Sequence, residues 1–332
     1  MRVLVTGATG FVGSRLVPVL TERDHHITVL TRDADGYDGP ADAVVEGDVL
    51  ERGSFEAALA DVDAAFYLIH SMGESGDEDF AETDRRAATN FRDAATEAGV
   101  GRVLYLSGLG DEEDEELSAH LASRREVERV LVEGSYELTV LRAAVVIGAG
   151  NTSFEVVSQL VRRFPVLVTP RWVRVDCQPI AAADVIAYLV GALESAETAG
   201  GVYDVGGPRV VTWRDLLTRT GRVGGWPTRV VPVSWLRPDH AARLAGLATE
   251  LPGEVVRPLV KGLENEVVAD DGDVRDLLPI PLDGYGLAIR RALVGHGIEA
   301  TVDRVQAKLA EVEVSTPNTD ERRRQRPLSD GE

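Results

Sequence analysis

Three glycines near the start of the chain, Gly7, Gly10 and Gly13 in the stretch TGATGFVG, have the type and spacing to hold a phosphate. A short apolar run, Val3 to Val5, enters them, and a helical pattern of Val12, Leu16, Val19 and Leu20 leaves. Strand, tight turn and helix together present backbone N–H groups and the positive end of a helix dipole to a pyrophosphate. Gly7 permits the turn, Gly10 lets backbone approach the phosphate, and Gly13 lets the helix lie close to the strand. A glycine-rich turn with no ligand is the alternative, and the β-branched strand and amphipathic helix on either side favour the ligand. A second strand, Ile27 to Leu30, then ends at Arg32. An acid at this place would accept from the 2′-hydroxyl of NAD, whereas an arginine suits a 2′-phosphate. NADP(H) is therefore favoured over NAD(H), with Asp33 and Asp35 leaving NAD(H) open.

Other residues have the makings of a reaction site. Ser107 follows an apolar strand and can hydrogen-bond a substrate carbonyl; a solvated strand end reads equally. His70 leaves the strand Ala64 to Ile69, followed by Ser71, Met72 and Gly73. His120 and Arg124 stand four apart on one helix face, where histidine can supply a proton near neutral pH and arginine can hold a ribose or lower a neighbour's pKa. Spacing alone fits a plain surface pair as well. Arg171, Trp172, Arg174 and Gln178 could grip an anionic or planar substrate, although Trp172 also reads as packing. Cys177 has no CxxC partner and reads as a buried structural thiol. HExxH, GxSxG and Cys/His metal spacings are absent from the sequence, so no metal is expected.

The elements that must position these groups alternate strand and helix. Strands are expected at 3–5, 27–30, 43–46, 64–69, 103–106 and 138–141, and helices at 51–60, 79–98 and 117–133, with Pro18 bending the first helix. This is α/β, a doubly wound parallel sheet, whose ligands bind at the strands' carboxyl ends. Residues 1–150 form the nucleotide-binding unit, whose sheet can receive later strands. A smaller, mostly helical substrate region follows over 151–312. Residues 111–116, DEEDEE, read as a mobile loop, and 313–332 as a disordered tail.

The 332 residues are 44% hydrophobic, with no run long enough to span a bilayer and no visible signal peptide. The single cysteine fits a reducing cytoplasm. Lys261 and Lys308 are the only lysines, so arginine supplies 33 of the 35 basic residues, and the net charge is −20. Such an excess of carboxylate suggests adaptation to high internal salt; a GC-rich genome would also favour arginine. It repels nucleic acid and anionic membrane and says nothing about substrate; the expected partner is a small-molecule substrate or none. Oligomeric state is not legible.

Several stretches resemble one known group. TGATGFVG resembles the TGxxGxxG signature of extended and atypical short-chain dehydrogenase/reductases. GDV at 47–49 resembles their adenine-contacting motif, residues 90–110 their fourth helix and fifth strand, and LRAAVVIGAG at 141–150 their nicotinamide-touching segment. Residues 178–189 and 202–217 are similar to their substrate-half motifs. AFYLIHSMG, LSAHLASRREVERVL, SFEVV and TPRWV resemble an NmrA-like branch.

The resemblance implies a Rossmann fold with Gly7, Thr9, Gly10, Phe11, Val12 and Gly13 on the pyrophosphate and Arg32 on the 2′-phosphate. Asp48 and Val49 would flank adenine, Ile69 and His70 would lie along the nicotinamide ribose, and Val145 would approach the carboxamide. Active members carry Tyr-x-x-x-Lys as acid and helper; here the aligned pair is His120 and Arg124. Histidine can still pass a proton, while arginine offers charge but gives up no proton. The expectation is an NADP(H)-dependent oxidoreductase, with Ser107 flooring its pocket and residues 170–178 roofing it. A non-catalytic NADP(H) sensor or complex I accessory-like scaffold is the alternative, and a sugar-nucleotide epimerase or dehydratase comes third.

Overall fold

The first strand, β1 (Arg2–Thr6), is buried over its last four residues and lies inside a seven-stranded sheet. The computed structural model describes residues 1–70, 80–110, 118–295 and 297–315. β2 (His26–Thr31), β3 (Ala43–Glu46), β4 (Ala64–Tyr67), β5 (Arg102–Gly108), β6 (Glu137–Ala143) and β7 (Val202–Val205) join β1, every pair parallel. Their order, β7-β6-β5-β4-β1-β2-β3, is doubly wound. The winding reverses between β1 and β4, so a crevice opens at their carboxyl ends. Thr6 stitches that point: its Oγ1 donates to Phe66 O at 3.0 Å and accepts from Leu68 N at 3.2 Å.

Each face of the sheet has its own core. α1 (Gly13–Glu22) covers one face with α5 (Ala182–Glu194) and α11 (Ile298–Ser315), through residues such as Leu16, Ile186 and Val305. α5 is apolar almost all round because it lies between the sheet and α11. α2 (Phe80–Ala98) and α3 (Ala119–Leu131) cover the other face, through Phe91, Val127 and Leu131. Residues beyond 150 thus build part of the nucleotide-binding core and supply β7, the late strand allowed for in the sequence.

A second lobe forms beside the carboxyl edge. α4 (Thr152–Arg163), α6 (Trp213–Val223) and the paired strands Val166–Thr169 and Arg229–Pro232 share one core. α7 (Pro238–Ala248) and α8 (Gly253–Gly262) pack on α4 through Ala242, Ala245, Val256 and Val260. α9 (Gly272–Leu277) and α10 (Tyr285–Val294) lead into α11.

Some expected elements differ. The helix expected over 51–60 is a 3-10 turn, Glu56–Leu59, because Gly53 takes φ +91° and Ser54 Oγ ties back to Asp48 O and Glu51 O. The third helix is shorter than 117–133, starting where Ser118 Oγ accepts from Leu121 N. Pro18 sits inside α1 without ending it. The last helix runs to Ser315, so the expected tail begins later; 316–332, the DEEDEE run and Ser71 to Gly73 lie outside the described residues. Among the described residues no helix is long and apolar enough to cross a membrane.

Candidate cofactor and substrate cleft

The glycine turn lies midway along a cleft of about 760 Å³ at the sheet's carboxyl edge, between the ends of β2 and β4. Its glycines are required by contact. Gly7 has φ +66°, and a Cβ there would meet Leu68 O at 2.7 Å. A Cβ on Gly13 would meet Gly7 O at 2.3 Å and Ala8 Cα at 2.6 Å, so only glycine lets α1 start this close to β1. α3, α4 and α6 start on capping side chains from Ser118, Asn151 and Thr212. No side chain caps α1, and its first turn holds no acid, which leaves that end to an anion. Arg15 braces the turn: its guanidinium stacks 4.1 Å from the Phe11 ring and donates to Phe11 O and Ala149 O. Thr9, Gly10, Phe11 and Val12 line the same wall. The cradle fits a pyrophosphate.

Next along the cleft, Arg32 and Asp33 stand at the end of β2. Asp33 is engaged locally, its Oδ1 accepting from Gly36 N at 3.0 Å, while Arg32 is exposed at the cleft mouth. Asp48 Oδ1 accepts from Leu50 N at 2.8 Å, and Asn90 Nδ2 donates to Val49 O at 2.8 Å. Leu30, Val49, Leu50 and Ala87 line the cleft beside them.

On the other side of the glycine turn, at the carboxyl ends of β4, β5 and β6, Ile69, His70, Ser107 and Val145 converge with His120 and Arg124. The two imidazoles meet edge to face, 6.5 Å between centroids. The adjacent Arg124 guanidinium, and then burial, push the His70 pKa down to about 3. Burial first, then Arg124 and His70, holds His120 well below its ordinary value. His120 is therefore a neutral hydrogen-bonding group near pH 7. Arg124 Nη1 donates to Tyr105 Oη at 3.4 Å and Leu106 O at 3.5 Å. Ser107 is 4% exposed, and its Oγ, sealed from water, has no hydrogen-bond partner. Such a donor costs free energy unless something fills its bond.

The four residues expected to hold substrate lie elsewhere. Arg171 and Arg174 are exposed on a 3-10 turn, Arg171–Arg174, outside the cleft. Trp172 packs between two cores. Gln178 is consumed by structure: its Nε2 donates to Gly207 O and Asp271 Oδ2, and its Oε1 accepts from Ala269 N. Cys177 is buried, its thiol pushed up to about 12 by burial and then Asp176 and Asp215, so it is no nucleophile. The wall expected from residues 170–178 comes instead from α8, through Val255, Pro258, Leu259 and Leu263, with Trp213 and Val157 beside them. A signal was present: α8 repeats apolar residues at 255, 259 and 263 as well as at 256 and 260, more than one face needs. Among the described residues no group of three or more His, Cys, Asp or Glu side chains could hold a metal ion.

Comparison with known proteins agrees with this architecture. Residues 7–169 match the NAD(P)H-binding family. The chain is 24% identical over 304 residues to the mitochondrial NADH dehydrogenase [ubiquinone] 1 alpha subcomplex subunit 9 of Arabidopsis thaliana, covering 85% of this chain and 75% of that one. It is 29% identical over 280 residues to a (4-alkanoyl-5-oxo-2,5-dihydrofuran-3-yl)methyl phosphate reductase of Streptomyces griseus, covering 80% and 86%. Among solved structures, a nucleoside-diphosphate-sugar epimerase from Staphylococcus aureus superposes with a TM-score of 0.70 at 16% identity, over 87% of this chain and all of that one.

Proposed function

We propose that this chain, which belongs to the atypical short-chain dehydrogenase/reductases of the NAD(P)-binding Rossmann superfamily, is an NADP(H)-dependent oxidoreductase acting on a small carbonyl compound. The observation that carries the reading is Ser107 Oγ, a sealed donor with no partner, on the cleft wall that also carries His120 and Arg124. When bound, the nicotinamide supplies or accepts a hydride at the carbonyl carbon. Ser107 then donates to the carbonyl oxygen. Neutral His120 would donate an N–H hydrogen bond to the same oxygen, Arg124 would offer a positive charge as negative charge grows there, and the reduced oxygen would take its proton from solvent. Arg32, with Asp33 turned to its own loop, supports the choice of a 2′-phosphate over a free hydroxyl.

A second reading has an observation of its own. Both imidazoles are held neutral, so a ready acid is absent from the described wall, which suits a protein that holds NADP(H) without turnover. One experiment separates the two. Purified protein is titrated with NADPH and NADH, then assayed for NADPH oxidation over a panel of ketones and aldehydes. Turnover is expected, with Ser107→Ala lowering kcat by about 100-fold at nearly unchanged NADPH affinity. Arg32→Ala is expected to weaken NADPH by about tenfold or more and NADH far less. Tight NADPH binding with no oxidation by any carbonyl favours the second reading, and equal loss of both cofactors removes the case for NADP(H).

A further inference from the structure

We infer that the outer half of the cleft takes an uncharged, lipophilic carbonyl compound rather than a phosphorylated or nucleotide-linked one. The inference rests on the proposed oxidoreductase reading for which half holds the substrate, but its argument is about the wall.

α8 carries two apolar faces. Val256 and Val260 are buried against α7 and α4. Val255 and Leu259, one helical turn apart, belong to none of the molecule's buried cores; both are half-buried and line the cleft. A surface helix needs one apolar face to dock, so a second face turned to a cleft is a face for a ligand. Val157 and Trp213 stand on the same wall, and Trp213 Nε1 is buried with no hydrogen-bond partner. An apolar chamber with a few unfilled donors suits a ligand that is mostly hydrocarbon and carries an acceptor oxygen.

Charge points the same way. Among the described lining residues, Arg32, Asp33 and Asp48 stand on the β2 and β3 side of the glycine turn, and Arg124 donates back toward Tyr105 and Leu106. No lysine or arginine of the described wall accompanies Val255, Leu259, Val157 and Trp213. A phosphate there would lose its hydration with no cation to replace it. Arg171 and Arg174 lie outside the cleft and do not fill that role.

The test measures binding, so it does not depend on turnover. Protein saturated with NADP⁺ is titrated by calorimetry with the methyl ketones 2-hexanone to 2-decanone, and with dihydroxyacetone phosphate and UDP-glucose. Affinity is expected to rise about fourfold per methylene until the chamber is full, with both phosphorylated compounds binding at least 100-fold more weakly than 2-decanone. Leu259→Asp is expected to weaken 2-decanone by about tenfold or more and leave the affinity for NADP⁺ as it was. Absence of ketone binding, a flat chain-length series, or UDP-glucose binding tighter than every ketone overturns the inference. Chain-length-dependent binding without any NADPH oxidation sustains it while the oxidoreductase reading fails.

Discussion

The histidine pair shows how position and protonation separate at the scale of single residues. Spacing marked His120 and Arg124 as neighbours, and the structure adds His70 against His120. What spacing could not show is that Arg124 and burial hold both imidazoles neutral. The consequence for stability has a definite sign. In the unfolded chain each histidine regains a pKa near 6.5 and binds a proton below that pH, whereas folded His70 does not until about 3. Protons thus favour the unfolded state across this window, and the stability present above pH 6.5 is lost as pH falls toward 3. Denaturant unfolding of the cofactor-free protein at pH 7.5 and pH 5.0 checks it. His70→Gln is expected to lose less stability than the parent between those pH values, the difference being reduced by solvent screening because His70 is exposed. Equal losses would mean that His70 titrates as it does in water.

Among elements, the ones that read correctly carry their own local signal. β1 and α1 are fixed by β-branched residues, two glycines in forced contact, Gly7 and Gly13, and an amphipathic stripe. The cleft wall was misplaced because its maker, α8, lies about 145 residues beyond β5, and only tertiary packing decides which of its apolar faces meets the cleft. Arg171 and Trp172 drew the eye by type, and Gln178 by neighbourhood, although their side chains serve the surface and the core. α11 is a further case, since its role depends on one residue. Lys308 is wholly buried, 2.7 Å from Asp184 Oδ1 of α5 and 3.1 Å from Asp283 Oδ1, and donates to Pro281 O. Arg304 of α11 and Arg291 of α10 also hold Asp283. Burial pushes the Asp184 carboxyl up to about 6 even with Lys308 beside it, so removing the lysine strands a buried acid. Lys308→Met is expected to cost about 3–5 kcal/mol in denaturant unfolding, and Asp184→Asn in the same chain to return part of it. A cost within about 0.5 kcal/mol, the usual size for a surface change, would show that α11 is held by its apolar contacts alone.

For the whole molecule, the doubly wound parallel sheet followed from the alternation of strands and helices, while its strand order came from the structure. The late strand β7 could be allowed for but not placed, since its partner β6 lies some sixty residues earlier. Net charge is the one global property read without any fold, and it makes the last prediction. With 55 acids against 35 arginines and lysines, and one of the two lysines buried, the surface repels itself. Exposed pairs such as Arg52 with Asp93 and Arg85 with Glu82 contribute little each and weaken in salt. The unpaired excess is larger, so screening relieves more repulsion than attraction. As KCl rises from 0.1 M to 1 M the screening length falls from about 10 Å to about 3 Å. Tm is expected to rise by about 5 °C or more over that range. The shape of the rise identifies its cause. Screening is steepest at low salt and levels off, whereas strengthened burial of apolar surface keeps growing with salt concentration. A Tm that is flat, or that climbs in proportion to KCl without levelling, would assign the acidic surface no part in stability and remove the case for a protein fitted to high salt.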